Sequence, residues 1–302
     1  MGVEDMSSQI EGFHLLRRTA TGAAVLAILA CAGAEPPARS QTGSAAWRAD
    51  AVWDDGNAEF CAYEVDWSRY GDLFPGRALL ILVKEPWAPD LEVKADRPRP
   101  DGFEVLKLNH IRDVATGIYT YHQMASVFLR RDSGKMRKLS VMNSEGCGIS
   151  TAHLVDGVIN TRSYFDGQGE ASVAYPEGAL AEDGLAASLR DHVDAAGEIP
   201  ATLEVTPSFM TGRLPSPEAR SYRLSRRQAE REGPKGPVEV VELRLEAGDR
   251  WLSYAFDARP PHVLVHHAAS DGTEYRLAKC ERIPYWSLNH KGGESWLPES
   301  VR

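Results

Sequence analysis

Near the end of the chain, in VEVVELRLE, Val241, Leu243 and Leu245 alternate with Glu242, Arg244 and Glu246. A period of two marks a strand with one face buried and the other in water. RWLSYAFD, HVLVHH and TEYRLAKCER follow as further β-rich runs, separated by AGD, ARPP and ASDG, segments of turn-forming residues. Four such runs at regular spacing predict antiparallel sheet. The earlier half behaves similarly. AEFCAYEVDW and ALLILVKEPW flank SRYGDLFPGR, read as their connection; TGIYTYHQMASVFLRR and KMRKLSVMN flank Asp132-Ser133-Gly134; ISTAHLVDG and VINTRSYFDG each close on an Asp-Gly turn.

The period changes in one place. Leu180, Leu185, Leu189 and Val193 fall near helical spacing, and Gly197 supplies a stop, which predicts one helix over residues 179–196. Pro215 and Pro217 mark a loop, without a composition break that would divide the chain into domains. So many strands in sequence order leave edges to be managed, and chains of this kind do so by closing or nearly closing. The expected fold is mainly β: a single curved antiparallel sheet forming a barrel or half-barrel, with one helix near its mouth. A two-sheet sandwich is the alternative.

The first residues have a different character. Arg17 and Arg18 precede the apolar run TATGAAVLAILA, and small residues follow, which is the pattern of an export signal. The run is too short for a membrane span, which needs about 20 residues. Ile28-Leu29-Ala30-Cys31 fits a lipobox, making Cys31 the lipidated first residue of the mature chain; Ala32-Gly33-Ala34 fits ordinary cleavage. Lipidation is preferred, with the membrane reached through that anchor. Residues 32–50, rich in Ala, Pro, Ser and Gly, read as a flexible tether, and 51–302 as a single β domain. An exported chain is then membrane-anchored, periplasmic or secreted.

With a formal net charge of −9 and no extended basic block, the chain is a poor candidate for nucleic acid. Three of its four cysteines follow Cys31, so in an oxidising compartment one pair and one leftover thiol are expected. Cys61 and Cys280 lie on the first and last long strands, which are neighbours in a barrel; a disulfide between them would clasp the seam. Cys147, in SEGCGISTAH, would then be a buried, inert thiol, since strand alternation separates it from His153 and no cysteine-hydrolase signature surrounds it. His262, His266 and His267 crowd one strand but cannot share an ion, and His110 and His122 read as residues of a wet face. Glycine-rich phosphate loops and a G-x-S-x-G elbow are absent, so no cofactor, metal or catalytic residue is assigned. In TGIYTYHQMASVF neither face is purely apolar. One face carries Tyr121 and the other Met124 and Phe128, so one of these sets is expected to line a cavity for a hydrophobic or amphipathic ligand.

WDDGNAEFCAYEVDWSRYGDLFPGRALLILVKEPW, VLKLNHIRDVATGIYTYHQMASVF, NSEGCG, RSYFDGQGE and RIPYW, in this order, resemble a family of uncharacterised bacterial secreted proteins and lipoproteins. Some members carry the label "septum formation inhibitor Maf", but the S-x-S-x-x-R start of true Maf nucleotide pyrophosphatases is missing here. The resemblance implies export and supplies no activity. A looser resemblance, at fold level, is to lipoprotein-carrier half-barrels, whose curved sheet wraps a helix and an acyl-binding cavity. The expected function is a non-catalytic envelope module binding a hydrophobic or amphipathic ligand, a lipid or another amphiphile; the alternatives are a structural or partner-binding envelope protein, or a hydrolase using Cys147.

Overall fold

The computed structural model describes residues 46–193 and 198–302. The segment read as an export signal, Cys31 and most of the residues read as a tether lie outside the described residues. The tether's last residues do not: Ala46–Ala49 form a helical turn, α1, whose Trp47 and Arg48 are buried. Trp47 donates from its indole to Asp191, and Trp53 donates to the Trp47 carbonyl, so the folded unit begins before residue 51.

The strands, in chain order, are β1 (Ala58–Arg69), β2 (Asp72–Ala88), β3 (Val93–Lys94), β4 (Phe103–Thr116), β5 (Tyr119–Arg130), β6 (Met136–Glu145), β7 (Gly148–Val155), β8 (Val158–Arg162), β9 (Glu170–Ala174), β10 (Leu180–Ala181), β11 (Thr202–Thr206), β12 (Arg220–Gly233), β13 (Gly236–Ala247), β14 (Arg250–Asp257), β15 (Leu264–Ala269) and β16 (Glu274–Ile283). They form one sheet, ordered β10-β11-β12-β13-β14-β15-β16-β1-β2-β4-β5-β6-β7-β8-β9, with β3 added to β2. The sheet is mainly antiparallel, curved and not closed, as the half-barrel alternative requires; its one parallel pair is the short β10–β11 contact. Two meanders run outward from a central seam where β1 meets β16, and Cys61 stands directly opposite Cys280 in that register. The two are disulfide-bonded with their Cα atoms 4.0 Å apart. The bridge therefore joins the two wings at the middle of an open sheet.

The turn chemistry is largely as read. Asp156 and Gly157 both have positive φ, 49° and 74°, the backbone of a two-residue hairpin. SRYGDLFPGR is mostly strand: only Tyr70 and Gly71, at φ 56° and 88°, form the turn, and β1 pairs with β2 as far as Arg69 and Asp72.

The predicted helix is shorter than its apolar spacing suggested. Residues 180–181 form β10, and the helical residues are a 3-10 turn (Glu182–Gly184), α2 (Leu185–Ser188) and a second 3-10 turn (Leu189–His192). Leu185, Ala187 and Leu189 are fully buried, so the segment lies inside the curve of the sheet. Gly184 shows how closely it packs, because a Cβ there would stand 3.0 Å from a methyl of Val127 on β5. On β13, Val241, Leu243 and Leu245 are buried as alternation predicts.

Candidate functional site

Along β4 the inward positions run Leu106, Leu108, His110, Arg112 and Val114, so two polar side chains interrupt an otherwise apolar face. Both help to line a cavity of about 320 Å³ between the sheet and the helical segment. Trp67 and Arg69 enter from β1, His267 from β15 and Tyr275 from β16. Glu182, Asp183 and Ala186 come from the helical segment, while Leu80, Met210 and Leu264 supply apolar wall.

A ladder of buried polar groups holds one side of the cavity. Arg112 faces Gln123, Gln123 faces Asn143 and Asn143 faces Ser150 across β4 to β7, at one level of the register. Arg112 Nε donates to Gln123 Oε1 at 3.0 Å, and Gln123 Nε2 donates to Asn143 Oδ1 at 3.2 Å. The ladder also secures the segment after β11: Arg112 and Gln123 each donate to the Met210 carbonyl at 3.0 Å, and Asn143 donates to the Phe209 carbonyl at 2.9 Å. Each amide has both its oxygen and its nitrogen engaged, which is what allows these groups to be buried.

The ionisable groups around the cavity are strongly perturbed. Burial, reinforced by Arg112, lowers His110 from 6.5 to about 3; burial lowers His267 to about 4. Both are therefore neutral at pH 7. His110 Nε2 lies 3.1 Å from the Tyr275 hydroxyl, which also accepts from Arg112 at 3.2 Å; a hydroxyl proton directed at His110 satisfies all three groups. Burial pushes Asp183 upward, against the pull of the Ser208 hydroxyl and the Phe209 N–H, which donates to it at 2.9 Å. Glu182 is pushed upward by burial as well, although Arg250 donates to both its oxygens at 2.6 and 2.7 Å.

The sign of the resulting pH dependence follows. The unfolded chain protonates these histidines near pH 6.5 and the fold only near 3 and 4, so the unfolded state binds more protons and stability falls as pH drops below 6.5. Asp183 and Glu182, shifted the other way, act in the opposite sense over their own range. His110→Gln should flatten the loss between pH 6.5 and 4 by about 1.4 kcal/mol per pH unit, read from urea midpoints across that range.

Tyr121, Met124 and Phe128 do not line this cavity. Tyr121 does face inward; its ring contacts Trp67 at 5.4 Å and its hydroxyl meets that of Tyr70 at 2.6 Å. Met124 and Phe128 face outward, because β5 alternates strictly, and Phe128 packs against Trp87 at 5.0 Å. His122 is also on the outer face, beside Asp113. His110, expected on a wet face, is buried, and so is His267, because β4 and β15 turn those positions into the concave side. His262 is outside any strand, at the Pro260–Pro261 turn, and His266 pairs with Glu274 at 2.6 Å.

Cys147 is exposed rather than buried, at the β6–β7 turn, where the chain leaves the core. Its sulfur is 3.9 Å from a Glu145 carboxylate oxygen, while His153 meets Ser140 at 2.9 Å on the exposed face of β7. The thiol thus donates to the Glu145 carboxylate, and His153 is not its partner. Cys147→Ser should therefore change stability by less than about 0.5 kcal/mol in a urea melt, as surface substitutions do. Glu59, Cys61 and Cys280 are the one cluster of three possible metal donors among the described residues, but the two sulfurs are bonded to each other and Glu59 is held by Arg190.

The polar cavity wall was missed at the sequence level, although a signal existed: Arg112, Gln123, Asn143 and Ser150 occupy core-face positions on four successive strands. No family pattern, curated protein or solved structure matches the chain.

Proposed function

We propose that this is an exported cell-envelope protein whose half-barrel binds one amphipathic small molecule in its cavity, without catalysis. The observation that carries the reading is the cavity itself, of about 320 Å³, whose wall mixes the apolar Leu80, Met210 and Leu264 with the polar Arg69, Arg112 and His267. Such a mixed lining suits an amphipathic ligand. Export is supported by the Cys61–Cys280 disulfide, which belongs to an oxidising compartment. The export signal and lipidation at Cys31 belong to the same reading. Access is supported by Tyr70, Leu73, Ile118 and Tyr119, exposed apolar side chains on or beside the hairpin tips at the end of the sheet where Arg69 sits.

Ala186 reaches the cavity from α2, so Ala186→Phe should fill it. A dansyl-tagged acyl chain is expected to bind the wild-type protein saturably, one per chain, and to lose that binding in the variant while circular dichroism remains native. Equal binding by the two folded proteins would move the site elsewhere.

A further inference from the structure

Three arginines are buried in the described structure: Arg48 and Arg190, each 3 % exposed, and Arg112, 8 % exposed. Arg48 is paired with Asp191 and Arg190 with Glu59. Among the described residues, Arg112 has no carboxylate within ion-pair distance. Its donors go to neutral oxygens, those of Gln123, Tyr275 and the Met210 carbonyl. Asp183 acts on it only at longer range. Burying a cation without its counter-charge is costly, and the other two sites avoid that cost.

A second unpaired cation stands nearby. The Arg69 side chain makes neither a hydrogen bond nor an ion pair among the described residues, and its Nε is buried without a partner. Glu145 feels its charge but is beyond ion-pair range, with its own Oε1 unpartnered. Both guanidinium groups lie within reach of one ring, Arg112 at 4.5 Å and Arg69 at 5.6 Å from the Trp67 centroid, and Arg69 lies closer still to the Tyr70 ring, at 4.6 Å. Both residues line the cavity. The remaining arginine of the wall, Arg250, is neutralised by Glu182.

We infer that Arg69 and Arg112, both within reach of the Trp67 ring, form a head-group site for one anion, a carboxylate or a phosphate monoester, at the end of the amphipathic ligand. This rests on the cavity reading above and adds the charge of the ligand. The anion supplies the counter-charge that the protein withholds from Arg112, and it satisfies the free donors of Arg69. Because binding draws on charge, it weakens as salt rises.

The test titrates the full chain calorimetrically with octanoate, octyl phosphate and octanol, which share a tail and differ in head. Octanoate or octyl phosphate is expected to bind about 10- to 100-fold more tightly than octanol, the range of a charge-assisted hydrogen bond. The tighter of the two identifies the head. Arg69→Gln should erase most of that preference and Arg69→Lys should restore part of it. Octanol binding as tightly as both anions would overturn the inference and leave the cavity reading intact. Failure of all three to bind would remove both. If Arg69→Gln does not fold, the head-group comparison and its salt dependence in the wild-type chain decide the matter alone.

Discussion

Replacing Cys61 and Cys280 together with alanine should lower the stability of the reduced-free, folded chain by about 3–5 kcal/mol and the melting temperature by roughly 10 °C. The two cysteines are 219 residues apart in sequence, so the bridge closes a loop that takes in nearly the whole folded unit. In the chain-entropy account, a loop this long approaches the upper end of what a disulfide contributes, about 5 kcal/mol. Its position adds a local reason. The β1–β16 pairing is the seam where the two meanders join, and it brings together the first and last strands, whose contact is the most remote in sequence. Both effects act on the same equilibrium, and denaturant unfolding of the double variant beside the oxidised wild type measures their sum. A change below about 1 kcal/mol would mean that strand pairing alone holds the seam.

Arg190→Met is expected to cost about 3–5 kcal/mol, because it leaves Glu59 as an uncompensated charge in the interior. Both side chains of this pair are 4 % exposed, and Arg190 donates to the two Glu59 oxygens at 3.1 and 2.6 Å. The same guanidinium reaches the Ala186 carbonyl at 3.2 Å and the Pro261 carbonyl at 2.9 Å, tying the helical segment to β1 and to the β14–β15 turn. Arg190 is thus one of the side chains that fix the segment carrying Glu182, Asp183 and Ala186 into the cavity. Adding Glu59→Gln to Arg190→Met should recover part of the loss, since the stranded charge is then removed. Urea unfolding of the two single variants and the double variant gives the coupling directly; additive losses would contradict a mutually dependent pair.

The sheet was legible because its information is local. Alternation on β13 to β16, with turn residues between the runs, specifies antiparallel strands whichever way the whole sheet curves. The Cys61–Cys280 pairing was expected because closure into a barrel would bring the first and last strands together; the sheet stays open, and these strands meet instead at its middle, where its two wings join. The helix was harder. Leu185 and Leu189 gave its centre, but Leu180 belongs to β10, and spacing cannot separate a short strand followed by 3-10 turns from one longer helix. The cavity was hardest of all. Tyr121, Met124 and Phe128 drew attention because their strand mixes residue types, yet the lining depends on which strands face each other across the curve. Trp67, Arg112, His267 and Tyr275 come from four strands that only the three-dimensional fold brings to one wall. Cys147, the residue whose glycine-flanked setting invites a catalytic reading, ends on a turn with a carboxylate as its neighbour.

The central claim is that the half-barrel holds an amphiphile, and native mass spectrometry of the full chain purified from the cells that produce it tests this most directly. The account predicts one discrete small-molecule adduct per chain, released on unfolding and displaced by added octanoate. A bare chain that takes up no amphiphile on titration would contradict it.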